Sequence, residues 1–184
     1  MDFAFTPEQI QLRNMVRDFA TAEIGPHVSE WDEHQIFPLE AVKQAGQLGL
    51  LGAIFPEELG GAGLDYVDYS VIIEELARVD PSFALIVAAH NSLCTNHIFV
   101  AGDKEQKAKY IPKLATGKWI GCWSLTEPEA GSDAGGTRSN AVLRDGCWVL
   151  NGGKTFTTNA HYADVCIAMC VTDRQASQHG ISAF

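Results

Sequence analysis

The stretch WSLTEPEAGSD at residues 123–133 separates two kinds of sequence within this chain. Upstream of it, apolar residues recur at the spacing of amphipathic helices. The run from Trp119 to Leu125 has the composition of a β-strand, and Pro128 and Gly131 then favour a turn. We therefore predict an α+β chain, with an all-α domain over residues 1–118 and a β-domain over residues 119–184.

The downstream part contains further strand-like segments between turn signals. Asp145-Gly146 is typical of a tight hairpin turn, and Asn151-Gly152 offers a second turn. The predicted strands are Ser139–Arg144, Cys147–Leu150, Val165–Val171 and Gly180–Phe184. We expect them to form an antiparallel, barrel-like sheet. A sheet with so few strands and an open last edge is incomplete, so we expect this to be the N-terminal piece of a longer protein.

The upstream part carries helix start signals with a physical basis. Thr6 can cap a helix, and Gln9 can close a capping box with it. Asp65 is a similar cap, and a helix from about residue 82 to residue 100 is apolar nearly all round, which indicates a buried central helix. Asp103 opens a lysine-rich surface helix, which we expect to end at Pro112.

Composition excludes several classes of function. The chain has 184 residues, 46% of them hydrophobic, and a formal net charge of −10. That charge argues against nucleic acid or an anionic membrane as a partner. The first five residues show no signal-peptide pattern, and we expect no uncharged apolar run to be long enough for a membrane span. We expect a cytoplasmic protein.

The sequence contains His and Cys side chains of the kind that bind metals, but packing in the core explains their positions better than a metal site does. His90, Cys94 and His97 share one helical face, but that helix is apolar and offers no carboxylate, so we predict no metal site. Cys166 and Cys170 lie four apart in a predicted strand, on one face but too far apart for a disulfide. We expect both to be buried thiols.

A second stretch, KTFTTN at residues 154–159, complements the first. A flat redox-active ring needs an apolar shield on one face and hydrogen-bond donors at its electron-accepting edge. The first stretch offers small hydroxyl donors, and the second sets an aromatic ring beside threonines. The plainer alternatives are an ordinary Pro/Gly loop at residues 126–133 and a core position for Phe156.

Several motifs in order make the chain resemble the acyl-CoA dehydrogenase family over essentially its whole length. A set of ordered motifs is far more specific than any single one. They are FTPEQ at 5–9, PEELGG at 56–61, HNSL at 90–93, GDKEQK at 102–107, YIPKL at 110–114, LTEP at 125–128, AGSD at 130–133 and TN at 158–159.

This resemblance implies a fold, a cofactor and a set of site residues. The family's fold is a helical domain, a middle β-barrel and a C-terminal helical bundle, usually in a tetramer, and this chain ends before the bundle. FAD would be bound by the following residues: Trp123, Ser124, Leu125, Thr126, Gly131, Ser132, Phe156, Thr157 and Thr158. Ser132, Ala89 and Leu93 would contact the acyl-CoA substrate.

The implied reaction is α,β-dehydrogenation of acyl-CoA thioesters in β-oxidation, with electrons passed to an electron-transfer flavoprotein. The family's catalytic glutamate lies in the C-terminal domain, so no residue here is assigned to it, and we expect the chain alone to be inactive. Glu129 stands where the family often has glycine, which adds negative charge beside an expected anion site. Two alternatives remain: a flavin-dependent monooxygenase or oxidase on the same fold, and a non-catalytic flavin- or acyl-CoA-binding fragment.

Overall fold

The computed structural model describes residues 4–184 of the chain. It divides into two compact units, Met1–Trp119 and Ile120–Phe184. This boundary falls one residue after the predicted one at residue 118. Residues 1–3 lie outside the described part, and with them most of the segment on which the absence of a signal peptide was predicted.

The first unit is helical, as predicted. Its α-helices are α1 (Pro7–Phe19), α2 (Val28–His34), α3 (Leu39–Gln47), α4 (Tyr66–Val79), α5 (Pro81–Ala88), α6 (Asn96–Ala101) and α7 (Lys104–Ala115). Two π-helical segments, Ala20–Ile24 and Ala89–Thr95, continue α1 and join α5 to α6. The helix predicted from about residue 82 to residue 100 is therefore present, with a π segment inside it.

The helix starts follow the predicted caps. Thr6 Oγ1 accepts from the Gln9 amide at 3.2 Å, and Gln9 Oε1 accepts from the Thr6 amide at 3.1 Å, which completes the capping box of α1. Asp65 and Asp103 cap α4 and α7 in the same reciprocal way. These three predictions are confirmed. The caps could be predicted because each depends only on residues three positions apart.

Two predictions about these helices were wrong. Helix α7 continues through Pro112 to Ala115. Ile111, Leu114 and Ala115 are buried, and their packing outweighs the hydrogen bond that proline removes. The prediction that no apolar run is long enough for a membrane span was the second error, because Pro81–Ala101 is long and apolar enough. However, 56% of its most apolar stretch is buried inside the protein. A soluble core helix passes the same test, so this is weak support for a membrane span.

The core of the first unit is apolar, and among the described residues it holds two buried carboxylates, Asp80 and Glu75. Its largest fully buried side chains include Phe55, Phe83, Ile24, Leu50, Leu51, Ile72, Leu76, Ile111 and Leu114. Glu75 on α4 is also buried and accepts two hydrogen bonds from Arg17 on α1, at 2.8 and 2.9 Å. These bonds hold the pKa of Glu75 below its usual value. The ion pair joins α1 to α4 inside this unit.

The second unit is a five-stranded sheet of mixed direction. Its strands are β1 (Gly121–Ser124), β2 (Asn140–Arg144), β3 (Cys147–Asn151), β4 (Val165–Val171) and β5 (Ile181–Ala183). Their order is β1-β4-β2-β3, and β5 also pairs with β4. The change from helices to a sheet is confirmed, but the wholly antiparallel arrangement was wrong.

The parallel pairs explain that error. β1 runs parallel to β4, with Cys122 opposite Cys166, and β2 meets β4 in parallel through one residue pair. Residues 125–164 separate β1 from β4, so no tight turn forces them to be antiparallel. The Asp145-Gly146 turn does force β2 and β3 to be antiparallel, and both residues have positive φ, 50° and 78°. That predicted hairpin is confirmed.

Candidate functional site

The two stretches singled out in the sequence lie side by side in the second unit. We call residues 123–133 the first segment and residues 154–159 the second segment. The Thr155 amide donates to the Thr126 carbonyl at 2.9 Å, and Lys154 Nζ donates to the Leu125 carbonyl at 2.9 Å. Ser124 Oγ and Thr157 Oγ1 are 2.9 Å apart. Backbone and side-chain hydrogen bonds therefore join the segments along their length.

A buried ion pair stands where the segments meet. Lys154 Nζ lies 2.8 Å from Glu127 Oε1, and the two side chains are only 12% and 6% exposed. Burial on its own raises the pKa of Glu127. Hydrogen bonds from Lys154, Ser139, Thr137 and the Arg138 amide outweigh that effect and hold the pKa far below its usual range. Glu127 is therefore ionised near neutral pH, and its low pKa makes it a poor general base.

Phe156 is the most exposed large apolar side chain among the described residues, at 90%. Its φ is +55°, in the left-handed region that costs an L-residue energy unless the surroundings impose it. Asn159 has φ +71° and is buried, and its Nδ2 donates to the Gly121 carbonyl at 3.2 Å. The local backbone thus holds the Phe156 ring out of the core, and the alternative of a core position for Phe156 is wrong.

The remaining predicted flavin contacts lie in three places. Trp123 and Ser124 are in β1, and Trp123 Nε1 is a buried donor with no hydrogen-bond partner among the described residues. Gly131 and Ser132 lie on the exposed turn that follows. Thr158 is half-buried. A buried unpartnered donor and an outward-facing ring fit an acceptor-rich aromatic group, so these residues fit the isoalloxazine of FAD.

The charge introduced by Glu129 is offset locally. Glu129 forms an ion pair with Arg138, and both side chains are well exposed. They border an open cleft of about 480 Å³ that Glu127, Ser139 and Gly152 also line. The extra carboxylate noted in the sequence therefore does not leave an uncompensated negative charge beside the turn.

The two predicted substrate contacts on the central helix differ in exposure. Ala89 and Leu93 both lie in the π-helical segment of the first unit. Ala89 is 2% exposed and packs inside the unit, whereas Leu93 is 41% exposed. Of these two, only Leu93 presents an accessible side chain. Their part in substrate binding stays a prediction.

Sequence reasoning missed Glu127 and Lys154 as parts of this site. Both stood inside the quoted motifs, as opposite charges 27 positions apart. Only Lys154 gave a signal, because it is the one Lys, Arg, Asp or Glu between Asp145 and Asp164, and a lone charge among small and apolar residues is usually paired when it is buried.

A cysteine pair borders the first segment and was also missed. Cys166 on β4 faces Cys122 on β1, and its thiol donates to Ser124 Oγ at 3.4 Å. Cys166 is exposed while Cys170 is buried, so the prediction of two buried thiols was wrong for Cys166. Once the thiol is ionised, the thiolate accepts hydrogen bonds from Cys122 and, more weakly, from Ser124, and these lower the pKa of Cys166 to about 6, although partial burial opposes them.

We expect Cys166 to alkylate as a thiolate. Its rate of reaction with iodoacetamide should reach half its maximum at about pH 6, because the lowered pKa leaves the thiolate in excess at neutral pH. In the Cys122→Ala variant the midpoint should move upward towards an ordinary thiol, near about 8.5. Peptide mass spectrometry measures the rate, with the exposed Cys147 as internal reference. An unchanged midpoint in Cys122→Ala contradicts this assignment.

Comparison with known proteins places this geometry in a family. The model of the acyl-CoA dehydrogenase N-terminal domain matches residues 6–118, and that of the acyl-CoA dehydrogenase middle domain matches residues 122–184. The chain is 46% identical over 184 residues to a short-chain specific acyl-CoA dehydrogenase of Clostridium acetobutylicum, covering all of this chain and 48% of that protein.

Solved structures agree. Butyryl-CoA dehydrogenase from Megasphaera elsdenii matches with a TM-score of 0.95 and 38% identity, over 100% of this chain and 49% of that one. An acyl-CoA dehydrogenase from Bacillus anthracis complexed with FAD matches with a TM-score of 0.90 and 39% identity, over 98% and 30%. The chain spans about half the length of the curated relatives it matches. On its sequence, its fold and its two joined segments, the chain belongs to the acyl-CoA dehydrogenase family.

Proposed function

We propose that this chain provides the flavin- and substrate-binding platform of an FAD-dependent acyl-CoA dehydrogenase. The reaction is α,β-dehydrogenation of an acyl-CoA thioester, with electrons passed on to an electron-transfer flavoprotein. Membership of the family supports the reaction class. The FAD complex of the Bacillus anthracis relative supports the cofactor.

One observation carries the cofactor assignment, namely the conformation of Phe156. A phenylalanine with positive φ and 90% exposure gains nothing from packing in the described structure. Such strain is retained where a ligand uses it. If the Phe156 ring covers one face of the flat flavin ring, the apolar surface of Phe156 becomes buried. This burial would offset the backbone strain.

The other residues of the two segments have complementary roles in the proposal. Trp123 Nε1 is a ready donor to an acceptor atom of the ring, because it is buried without a partner among the described residues. The Thr158 hydroxyl is the proposed donor near the reactive ring nitrogen, and Ser132 the proposed contact to acyl-CoA. When bound, FAD supplies the hydride acceptor.

We propose a short acyl chain as the substrate. The motif HNSL at residues 90–93 favours short, straight or branched acyl groups, and two similar proteins are named for short-chain and butyryl substrates. In this proposal the exposed Leu93 contacts the acyl chain, whereas the buried Ala89 would act only through its small size inside the helical unit. The carboxylate that removes the α-proton is assigned to no residue of this chain.

The wider setting is proposed from the family and from the composition of the sequence. We propose a homotetramer, a role in fatty-acid β-oxidation and a cytoplasmic location. Nucleic acid and membrane are not proposed as partners, because the net charge of −10 disfavours polyanions and anionic surfaces.

The test uses the natural gene product, purified from its own cell and weighed by intact mass spectrometry. A mass about twice that of these 184 residues is expected. Added butyryl-CoA should bleach the visible flavin band without oxygen, and an electron-transfer flavoprotein should restore it. A mass equal to this chain alone, or a preparation without flavin, would contradict the dehydrogenase and favour a binding fragment. Rapid reoxidation by air would favour a monooxygenase or oxidase.

A further inference from the structure

The Lys154 ammonium is fully committed to hydrogen bonds. It donates to the Leu125 carbonyl at 2.9 Å, to Glu127 Oε1 at 2.8 Å and to Thr137 Oγ1 at 2.9 Å. A lysine ammonium has three donors, and all three are used here. Its position relative to the first segment is therefore fixed by three acceptors.

Glu127 completes the network from the other side. Its carboxylate accepts from Thr137 Oγ1 at 2.7 Å, from the Arg138 amide at 2.7 Å and from the Ser139 amide at 2.8 Å. The residues that follow the first segment are thereby tied to the same carboxylate as Lys154. The first segment, the start of β2 and the second segment share one buried polar centre.

This centre sets the alignment of the two segments. Two successive residues of the second segment, Lys154 and Thr155, bind two successive carbonyls of the first, at Leu125 and Thr126. A slip of one residue breaks both bonds and leaves the buried Glu127 without its cation. Such a slip costs far more than the loss of one surface hydrogen bond, because an unpaired buried charge is strongly unfavourable.

We propose that Lys154 and Glu127 are positioning residues of the flavin site, whose buried ion pair fixes Trp123 and Thr126 in register with Phe156 and Thr158. This inference rests on the proposed function, because the residues placed in register are the proposed flavin contacts. Neither charge touches the flavin in this account. Their effect on the cofactor passes through the Leu125 carbonyl and the backbone of the second segment.

The test measures FAD affinity and stability together, in the natural gene product. Lys154→Met removes the ammonium at similar side-chain length. Glu127→Gln/Lys154→Met removes both charges, so it is expected to fold more stably than Lys154→Met while still lacking the donor to Leu125. FAD affinity should fall at least about tenfold in both variants, because a charge-assisted bond that orders the site is lost.

A matched control separates positioning from stability. Val171 is buried at the end of β4, where it pairs with Asn140 and Ile181 and with no proposed flavin contact, and Val171→Ala should destabilise the same unit without removing a group of the polar centre. Its FAD affinity should stay within about twofold of the parent protein, because its effect is on packing alone. Quenching of FAD fluorescence gives the dissociation constant, and urea unfolding gives the stability.

The outcomes are distinct. Weak FAD binding in the double variant, with near-normal binding in an equally or less stable Val171→Ala, supports the positioning role. Normal binding in the double variant, or affinity that simply follows stability in all variants, overturns it. A parent protein that binds no FAD overturns the proposed function first, and this inference with it.

Discussion

Replacing Lys154 with methionine is expected to lower the free energy of unfolding of the second unit by about 3 kcal/mol at about pH 8. The variant leaves Glu127, only 6% exposed, as a buried anion without its cation. Hydrogen bonds from Thr137, Arg138 and Ser139 remain, so the expected cost is at the lower end for a broken buried pair. Hydrogen exchange of the β4 amides during urea titration reports this unit separately from the helical one.

The pH dependence of stability should differ between the parent chain and this variant. In the parent, the folded-state pKa of Glu127 is depressed, so its stabilisation is present above the unfolded pKa of about 4.3 and is lost as pH falls. In Lys154→Met the cation is lost but the hydrogen bonds from Thr137, Arg138 and Ser139 remain, so the folded-state pKa of Glu127 moves up from its value in the parent. The parent should therefore gain more stability than the variant as pH rises from acid towards neutral, and the gap between the two proteins should widen over that range.

An exposed ion pair in the same unit provides the control. Glu129 and Arg138 pair on the surface, with side chains 63% and 70% exposed. Glu129→Gln should change the free energy of unfolding by less than about 0.5 kcal/mol at acid or neutral pH, because water screens such pairs. Two results would show that the buried pair stabilises the unit no more than an exposed pair does. One is an equal loss of unfolding free energy in Glu129→Gln and Lys154→Met, and the other is a stability difference between parent and Lys154→Met that does not depend on pH.

Features set by neighbouring residues could be read from the sequence. The capping boxes at Thr6, Asp65 and Asp103 each need two residues three positions apart, and the structure has all three. The Asp145-Gly146 hairpin needs two residues that tolerate positive φ, and it is present as well. The family motifs placed the domain order correctly for the same reason, since each motif is contiguous.

Features set by distant residues could not be read in this way. The parallel pairing of β1 with β4 joins residues 44 positions apart, as in Cys122 and Cys166. The continuation of α7 past Pro112 depends on the packing of Ile111 and Leu114 against other helices, which outweighs the local preference. The Lys154–Glu127 pair became visible only once the two segments lay side by side. Strand composition and helix breakers carry no information about such partners.

Replacing Phe156 with glycine is expected to separate stability from cofactor binding. Glycine adopts φ +55° without strain, and the exposed ring contributes no packing in the described structure. The free energy of unfolding should therefore stay constant or rise by up to about 1 kcal/mol. FAD affinity should fall by about 10-fold to 100-fold, because the ring would no longer bury its apolar surface against the cofactor.

Two further variants isolate the cause of that loss. Phe156→Ala removes the ring but keeps a side chain that disfavours positive φ, so it should lose FAD affinity without gaining stability. Phe156→Tyr keeps an aromatic face and should bind FAD close to the parent level. Flavin fluorescence and urea unfolding on the natural gene product measure both quantities. If Phe156→Gly instead lowers stability and binds FAD normally, the ring packs against protein in the assembled molecule, and its exposure here marks a protein contact rather than the flavin face.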